Sequence, residues 1–462
     1  MNRKKMILFY ITVILYLFFL TPIFFGDIKV KALATLFIVQ ILWIGRVFPL
    51  AFSSLLLILI VSLTFFSFEE TLSSFGSGIV WLLFSTFIIS NAFIETGLAS
   101  RISLNMLRLS RGSGRLLVFI SFFLMFVLSI LIPSNIGKGS LVTSIFDRIS
   151  KSMEKISAVP NLSKSLFIGV AYIVAISGAF VATGAGSTIY AYGLLASISP
   201  DLNYLNWMIY FGPPTFIFII ILWVIFLVCF PPENVVKTVV MNLIDERVAK
   251  LGKISKPEVK IIIIIGFTLL LWVTQSLHGY SVPMVGMLGA TLTIMPKVGV
   301  WDWTKAKSKI DWDMIIFFGA TILLSSMLIN TGTIEWLANL LVSYFALQSP
   351  FIVLFLFVIC TAILRIIFVN VIGFMTIMMP LGVTIGQSIS GLTSLGVAMA
   401  VFLTGVPGFL LITQSPVHLI SHSYGYFSDK DLFRVGIISL FFWLLVVFGS
   451  VFFYWNQIFF KN

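Results

Sequence analysis

The chain has 462 residues, of which 59% are hydrophobic and only 10% charged, and its mean hydropathy is +1.11. Soluble domains carry roughly 25% charged residues, so the composition excludes a soluble protein and requires one that crosses a membrane many times. The net charge of +12 belongs to the positive-inside rule and not to a nucleic acid or another acidic partner, because the cations fall in alternate loops.

Those basic loops are Arg3 to Lys5, Arg101 to Arg115, Arg148 to Lys164, Lys237 to Lys260 and Lys297 to Lys309. The loops between them hold Asp27, Glu69, Glu70, Asp201 and Glu335 with few cations. This asymmetry predicts a multi-pass protein of the cell membrane with a cytoplasmic N-terminus. Met6 to Phe25 is uncharged and has no small-residue cleavage site after it, which predicts a retained span and not a signal peptide.

At about 20 apolar residues per span, the chain accommodates on the order of eleven spans. The first four are expected near 6–25, 31–46, 49–66 and 77–98. An apolar hairpin follows at 116–147, with a polar break at Pro133-Ser134-Asn135-Ile136-Gly137-Lys138. Next come a span at 165–198, interrupted at Thr183-Gly184-Ala185-Gly186-Ser187, and one at 206–231. The segment 233–259 reads as a cytoplasmic connector with a short amphipathic helix. Spans near 260–276, 281–296 and 313–332 precede a second hairpin at 350–385, broken at Val369-Asn370-Val371-Ile372-Gly373. A broken span at 391–424, interrupted at Thr413-Gln414-Ser415-Pro416, and a last one at 434–457 complete the chain. The organisation is thus an N-terminal span (1–30), a first repeat (31–232), the connector and a second repeat (260–462). Cys229 and Cys360 lie in apolar runs, where buried small hydrophobes are expected and neither a disulfide framework nor a zinc site is.

An internal echo supports the two repeats. Thr86, Ser90, Thr96 and Gly97 return, without a gap, as Thr321, Ser325, Thr331 and Gly332, and the same offset carries Asn135 onto Asn370. Unpaired backbone groups in hydrocarbon cost several kcal/mol each, so breaks persist where they line a cavity or bind something. Two breaks per half, in matching positions, are the pattern of a secondary transporter whose site lies between inverted repeats.

Several side chains at the breaks have the chemistry for an anion. Lys138 belongs to the first tip, where it either acts on the ligand or snorkels to the interface. His418 and His422 follow the last break, with the same division between a site and a packed or interfacial role. Arg365 lies five residues before Asn370 in an apolar arm; it either serves a site or reaches the interface or a carbonyl. Glu95 and Asp313 sit at span ends, where solvation accounts for them. The glycines between Thr183 and Ser187 let the backbone approach a ligand without Cβ obstruction.

From about residue 35 to 455 the chain resembles the divalent anion/sodium symporter family, in particular its citrate/succinate antiporter and 2-oxoglutarate/malate translocator branch. The resemblance is carried by Trp81 to Arg101, Pro133 to Asn135, Trp207 through Pro213-Pro214 to Glu233, Asp311 to Gly332, and Ser423 to Asp431. It implies an all-helical protein with two inverted repeats, re-entrant hairpins and broken helices. It also implies a homodimer in which a hairpin domain moves as an elevator. The family places a Ser-Asn-Thr triplet at each hairpin tip to hold substrate carboxylates. By resemblance Ser134 and Asn135 occupy the first triplet, with Ile136 in place of its Thr, and Asn370 survives in the second between Val369 and Val371. The implied substrate-binding set is Ser134, Asn135, Ile136, Lys138, Thr183, Gly184, Asn370, Val371, Thr413, Ser415 and His418. If sodium is coupled, its ligands are expected at Ser134, Asn135, Gly184 and Asn370.

The expected activity is therefore exchange of a small di- or tricarboxylate-like anion, with no cofactor unless sodium is coupled and with the lipid bilayer and a second copy as partners. Sodium-coupled symport is the alternative within this class. A membrane-embedded enzyme is the rival from another class, but it needs clustered carboxylates or histidines. The chain has three His in all and no paired acidic motif in its apolar runs.

Overall fold

The computed structural model describes residues 3–21, 26–155, 158–233, 237–345 and 349–456, and within them the chain is helical with no strand. Eight of its helices are long and apolar enough to cross a membrane, and three of these (Gly114–Leu131, Pro350–Ile367 and Val371–Ser388) are hairpin arms. Leu50–Thr64, Val282–Ile294 and Ser394–Gly405 are shorter apolar helices.

The element order repeats at the offset of the echo. Gly78–Glu95 turns through Gly97 (φ 84°) into Leu98–Arg108, and Trp312–Asn330 turns through Gly332 (φ 69°) into Thr333–Phe345. Both turns use the left-handed region, which glycine enters without penalty. Even the helix-internal bonds correspond: Thr86 donates to the Leu83 carbonyl at 2.8 Å and Thr321 to that of Phe318 at 2.7 Å. A hairpin and a broken helix follow in each half.

The chain forms two compact units, each assembled from separated segments. One comprises Met1–Trp81, Gly193–Ser199 and Asp311–Gly405. In it, Trp312–Asn330 packs along Leu50–Thr64, and the hairpin arm Val371–Ser388 lies against Ser394–Gly405. The other comprises Leu82–Tyr192, Pro200–Ile310 and Val406–Asn462. Its axis is Pro160–Ala179, buried along nearly its whole length by Gly114–Leu131, Asn135–Glu154 and Pro416–Ser423. Gly169 admits the Phe122 ring so closely that a Cβ there would sit 2.3 Å from it.

Several boundaries differ from the sequence expectation. The first helix is Arg3–Phe19; residues 22–25 of the expected 6–25 span lie outside the described residues. The arms of the first hairpin run Gly114–Leu131 and Asn135–Glu154, longer than 116–147, because the polar face of the second arm is helical to its end. The following helix starts at Pro160, whose fixed φ suits the first helical position. The last span starts at Asp429, where Ser428 and Asp431 form a capping box, and continues as a π-helix over Ser450–Trp455; residue 457 lies outside the described residues. Cys229 is half-buried and Cys360 exposed, so neither is the buried small hydrophobe expected. The connector forms the helix Lys237–Lys250, with 234–236 outside the described residues. Arg101 anchors it: its guanidinium donates to the carbonyls of Leu251, Gly252 and Lys253 and pairs with Glu258 at 2.6 Å.

Candidate functional site

The first hairpin breaks because Pro133 forces the residue before it out of the helical region, and Ile132 is extended at φ −130°, ψ 102°. The helix restarts at Asn135 with Ser134 as N-cap, its Oγ accepting the Gly137 N–H at 3.0 Å. Asn135 Oδ1 is buried and accepts no hydrogen bond. One turn on, Lys138 is wholly buried. Its Nζ donates to Ser129 Oγ at 2.7 Å and to the Gly184 carbonyl at 2.9 Å. Ser129 passes a hydrogen bond to Ser177 Oγ at 2.8 Å, and Ser177 donates to the Val174 carbonyl at 3.2 Å. Snorkelling is thereby excluded, since the ammonium points into the protein.

Gly184 lies in the break between Pro160–Ala179 and Gly186–Ile198, where backbone carbonyls lose their helical partners. Several find other donors: Thr188 serves Gly178, Trp207 Nε1 serves Ala179, the Gly184 N–H serves Val181, and Lys138 serves Gly184. The strands of this break run so close that a Cβ on Gly184 would lie 2.4 Å from the Gly178 oxygen. A point one Cβ-length from Gly178 lies 3.3 Å from the Gly184 oxygen and 3.4 Å from Asn135 Oδ1. Hairpin tip and helix break therefore form one polar cluster. Thr183 borders it, but its hydroxyl is engaged with Tyr204 Oη at 3.1 Å.

No carboxylate among the described residues pairs with Lys138. Neutral oxygens solvate a buried ammonium only in part. A cavity of about 20 Å³ adjoins it, lined by Thr86, Leu131, Pro133, Thr183, Thr268 and Trp272 among others. It is large enough for one water and too small for a dicarboxylate. Ile136, at the position of the family's Thr, is 41% exposed.

The last break begins earlier than expected. Ser394–Gly405 ends at Gly405, and the chain is unwound from Val406 until Pro416–Ser423, with a 3-10 turn at Ile412–Gln414. Pro407, which has no N–H to give, explains the early ending. The unwound stretch is held by Gln414, whose Oε1 accepts the N–H groups of Leu410 and Leu411 at 2.7 and 2.9 Å. His418 is fully buried and bonds the Gly408 carbonyl through Nε2 at 2.7 Å. Its helix packs on the Lys138 helix, with Val417 against Gly139. Ser415 caps that helix on the Val417 N–H. Thr413 is exposed, and His422 pairs with Asp429 at 3.0 Å on the surface.

Asn370 and Val371 belong to the other unit. With Val369 unable to cap, Asn370 is itself the N-cap of Val371–Ser388, and Oδ1 accepts the N–H groups of Ile372 (2.9 Å) and Gly373 (3.5 Å). Arg365 is buried and donates to the carbonyls of Phe368 and Gly405. Glu95 pairs with Lys305 and Lys309 at 2.8 and 3.0 Å, and Asp313 is exposed.

Of the residues expected at a site, Ser134, Asn135, Lys138, Thr183 and Gly184 come together in one unit, and the helix that carries His418 packs on the Lys138 helix. Ser129, Ser177 and Gln414 were not anticipated. Nothing in the spacing of two serines inside apolar arms marks them, but Gly405-Val406-Pro407-Gly408 was a legible signal for the early break.

The chain matches the family described as "Sodium:sulfate symporter transmembrane region" over residues 2–460. It is 25% identical over 323 residues (67% of this chain, 66% of the relative) to the putative malate transporter YflS of Bacillus subtilis. It is 23% identical over 400 residues (83% and 80%) to the L-tartrate/succinate antiporter of Shigella sonnei. A membrane protein of Cupriavidus necator is 23% identical over 372 residues (79% and 72%). In fold it is similar to the YdaH transporter of Alcanivorax borkumensis, with a TM-score of 0.52 at 13% identity over 83% of this chain and 85% of that one. With its match running over nearly the whole sequence, the chain belongs to this family of membrane transporters, the divalent anion/sodium symporters that its motifs resemble.

Proposed function

We propose that this protein exchanges small organic anions of the dicarboxylate class across the cell membrane, without sodium. The observation that carries this reading is the ammonium of Lys138, buried on the Gly184 carbonyl with no carboxylate partner. In secondary transporters the carbonyls of unwound helix segments are where a coupling cation binds. Here such a carbonyl is already taken by a cation that cannot leave. The fixed charge offsets that of a bound anion during crossing, and the empty carrier is left with an uncompensated charge that disfavours its return. Net flux is then slow and counter-transport fast. Two relatives named as a malate transporter and an L-tartrate/succinate antiporter support the substrate class.

On this reading each tip offers anion ligands of its own, the helix N-terminus with Ser134 and Asn135 at the first and with Asn370 at the second, and movement is elevator-type in a homodimer. The N-terminus is cytoplasmic and the C-terminus outside. Cysteine labelling at Lys5 and at Asn462, which lies outside the described residues, is expected to show opposite sidedness.

A second reading, sodium-coupled symport, is favoured by the buried, unpartnered Asn135 Oδ1, an oxygen suited to a hard cation. Proteoliposomes decide between them. Exchange predicts rapid uptake of labelled succinate, malate or tartrate only with anion inside and regardless of sodium. Sodium-dependent uptake into anion-free vesicles refutes exchange and supports symport.

A further inference from the structure

A buried charge that this reading does not use is Arg365. It is 2% exposed and lies in the last turn of Pro350–Ile367. Its Nε–H donates to the Gly405 carbonyl at 2.7 Å, and an Nη1–H donates to the Phe368 carbonyl. Phe368 closes the first arm of the second hairpin, and Gly405 is the last residue of Ser394–Gly405. Carbonyls at helix C-termini lack intrahelical partners, and hydrocarbon offers no water to replace them. A guanidinium fork reaches both with fixed geometry and a permanent charge, which a single ammonium cannot do as well.

The second tip has particular need of such a clamp. At the first tip, Ser134 caps the arm and leaves the Asn135 side chain outside the cap. At the second, the corresponding position is Val369, and Asn370 has taken over the cap with its carbonyl end. Only the NH2 end of Asn370 is left for a ligand, and the flanking Val369 and Val371 have no side chain that can fix the tip by hydrogen bonding. We propose that Arg365 is the positioning residue of this tip. By tying Phe368 to Gly405 it holds the backbone at Phe368, which is extended, and so aims the amide NH2 of Asn370 and the N-terminus of Val371–Ser388 at a substrate carboxylate. The assignment of the carboxylate rests on the proposed transport function.

The test uses the full chain with C229A and C360A, carrying V369C as a reporter of tip order, together with R365K, R365Q or R365A. Thiol labelling of purified protein reads the tip with no transport required. We expect R365A and R365Q to speed labelling of V369C about tenfold, the scale of one lost charge-assisted hydrogen bond. R365K should fall between these and the parent. In variants with the native Val369, succinate or malate KM in counter-flow should rise by a similar factor, with Vmax little changed. Added guanidinium ion should restore both readouts in R365A, which repair of a misfolded chain would not explain. Parental labelling and KM in R365Q and R365A overturn the proposal, and so does a loss in R365A that guanidinium does not reverse. If R365A does not fold, R365K and R365Q decide by the same readouts. Absence of counter-flow in the parent, with the labelling contrast intact, refutes the transport reading and leaves the clamp standing.

Discussion

The ammonium of Lys138 lies 2.9 Å from the carbonyl oxygen of Gly184, so a charge on the first hairpin closes the backbone gap in the neighbouring broken helix. Tip and break become a single polar object.

Removing the charge separates stability from function. Lys138→Met keeps the length of the stem and removes a desolvated cation, but leaves the Gly184 carbonyl and Ser129 Oγ without their donor, two effects of opposite sign on the fold. The melting temperature in detergent should therefore change little, while anion KM in counter-flow rises about tenfold or more. Wild-type KM in this variant would show that the charge faces no anion.

Close approach at the break makes Gly184 intolerant of a side chain. Gly184→Ala would put Cβ 2.4 Å from the Gly178 oxygen, against backbone that cannot rotate away. A loss of about 1–3 kcal/mol is expected, with transport reduced as well. Gly266→Ala is the control, because nothing lies within 4 Å of its Cβ position and alanine is the better helix former. Equal melting temperatures for the two variants would contradict the packing at Gly184.

The two asparagines should respond differently. Asn370→Ser keeps a capping oxygen and loses the NH2, so stability should hold while anion affinity falls about ten- to a hundred-fold. Asn370→Ala should also lose about 1 kcal/mol of helix capping. Asn135→Ala removes an Oδ1 that has no partner, so it should cost affinity without stability. Parental affinity in both alanine variants would place the site elsewhere.

Acid should loosen the connector. The hydrogen-bonded Arg101 guanidinium holds the Glu258 carboxyl down to about 2, against the opposing effect of its burial. A carboxylate with a depressed folded pKa stabilises the fold above its unfolded value, near 4.5, and loses that contribution as pH falls toward 2. The effect is on the order of 2–4 kcal/mol. Melting temperature should drop between pH 4.5 and pH 2 in the parent and less steeply in Glu258→Gln. Parallel pH profiles would show that the ion pair carries no such linkage.

Much of this protein was legible in its sequence. The membrane class follows from composition, because hydrocarbon admits few charges. The tips are marked by Pro133 and by Asn135 and Asn370, and the αL turns by Gly97 and Gly332, because proline and glycine restrict or free the backbone locally. The early break at Gly405 was equally local and could have been read from Pro407. Tertiary structure alone decided what the side chains at those breaks do. Lys138 could have snorkelled, and only the arrival of Ser129 and Gly184, from nine and 46 residues away in the chain, shows that it points inward. Asn370 looked like a copy of Asn135, yet the loss of a capping hydroxyl at 369 turned its carbonyl into a cap. Local sequence sets where the backbone must stop being a helix. Which group then satisfies the exposed carbonyls and amides depends on chain segments that only folding brings within 3 Å.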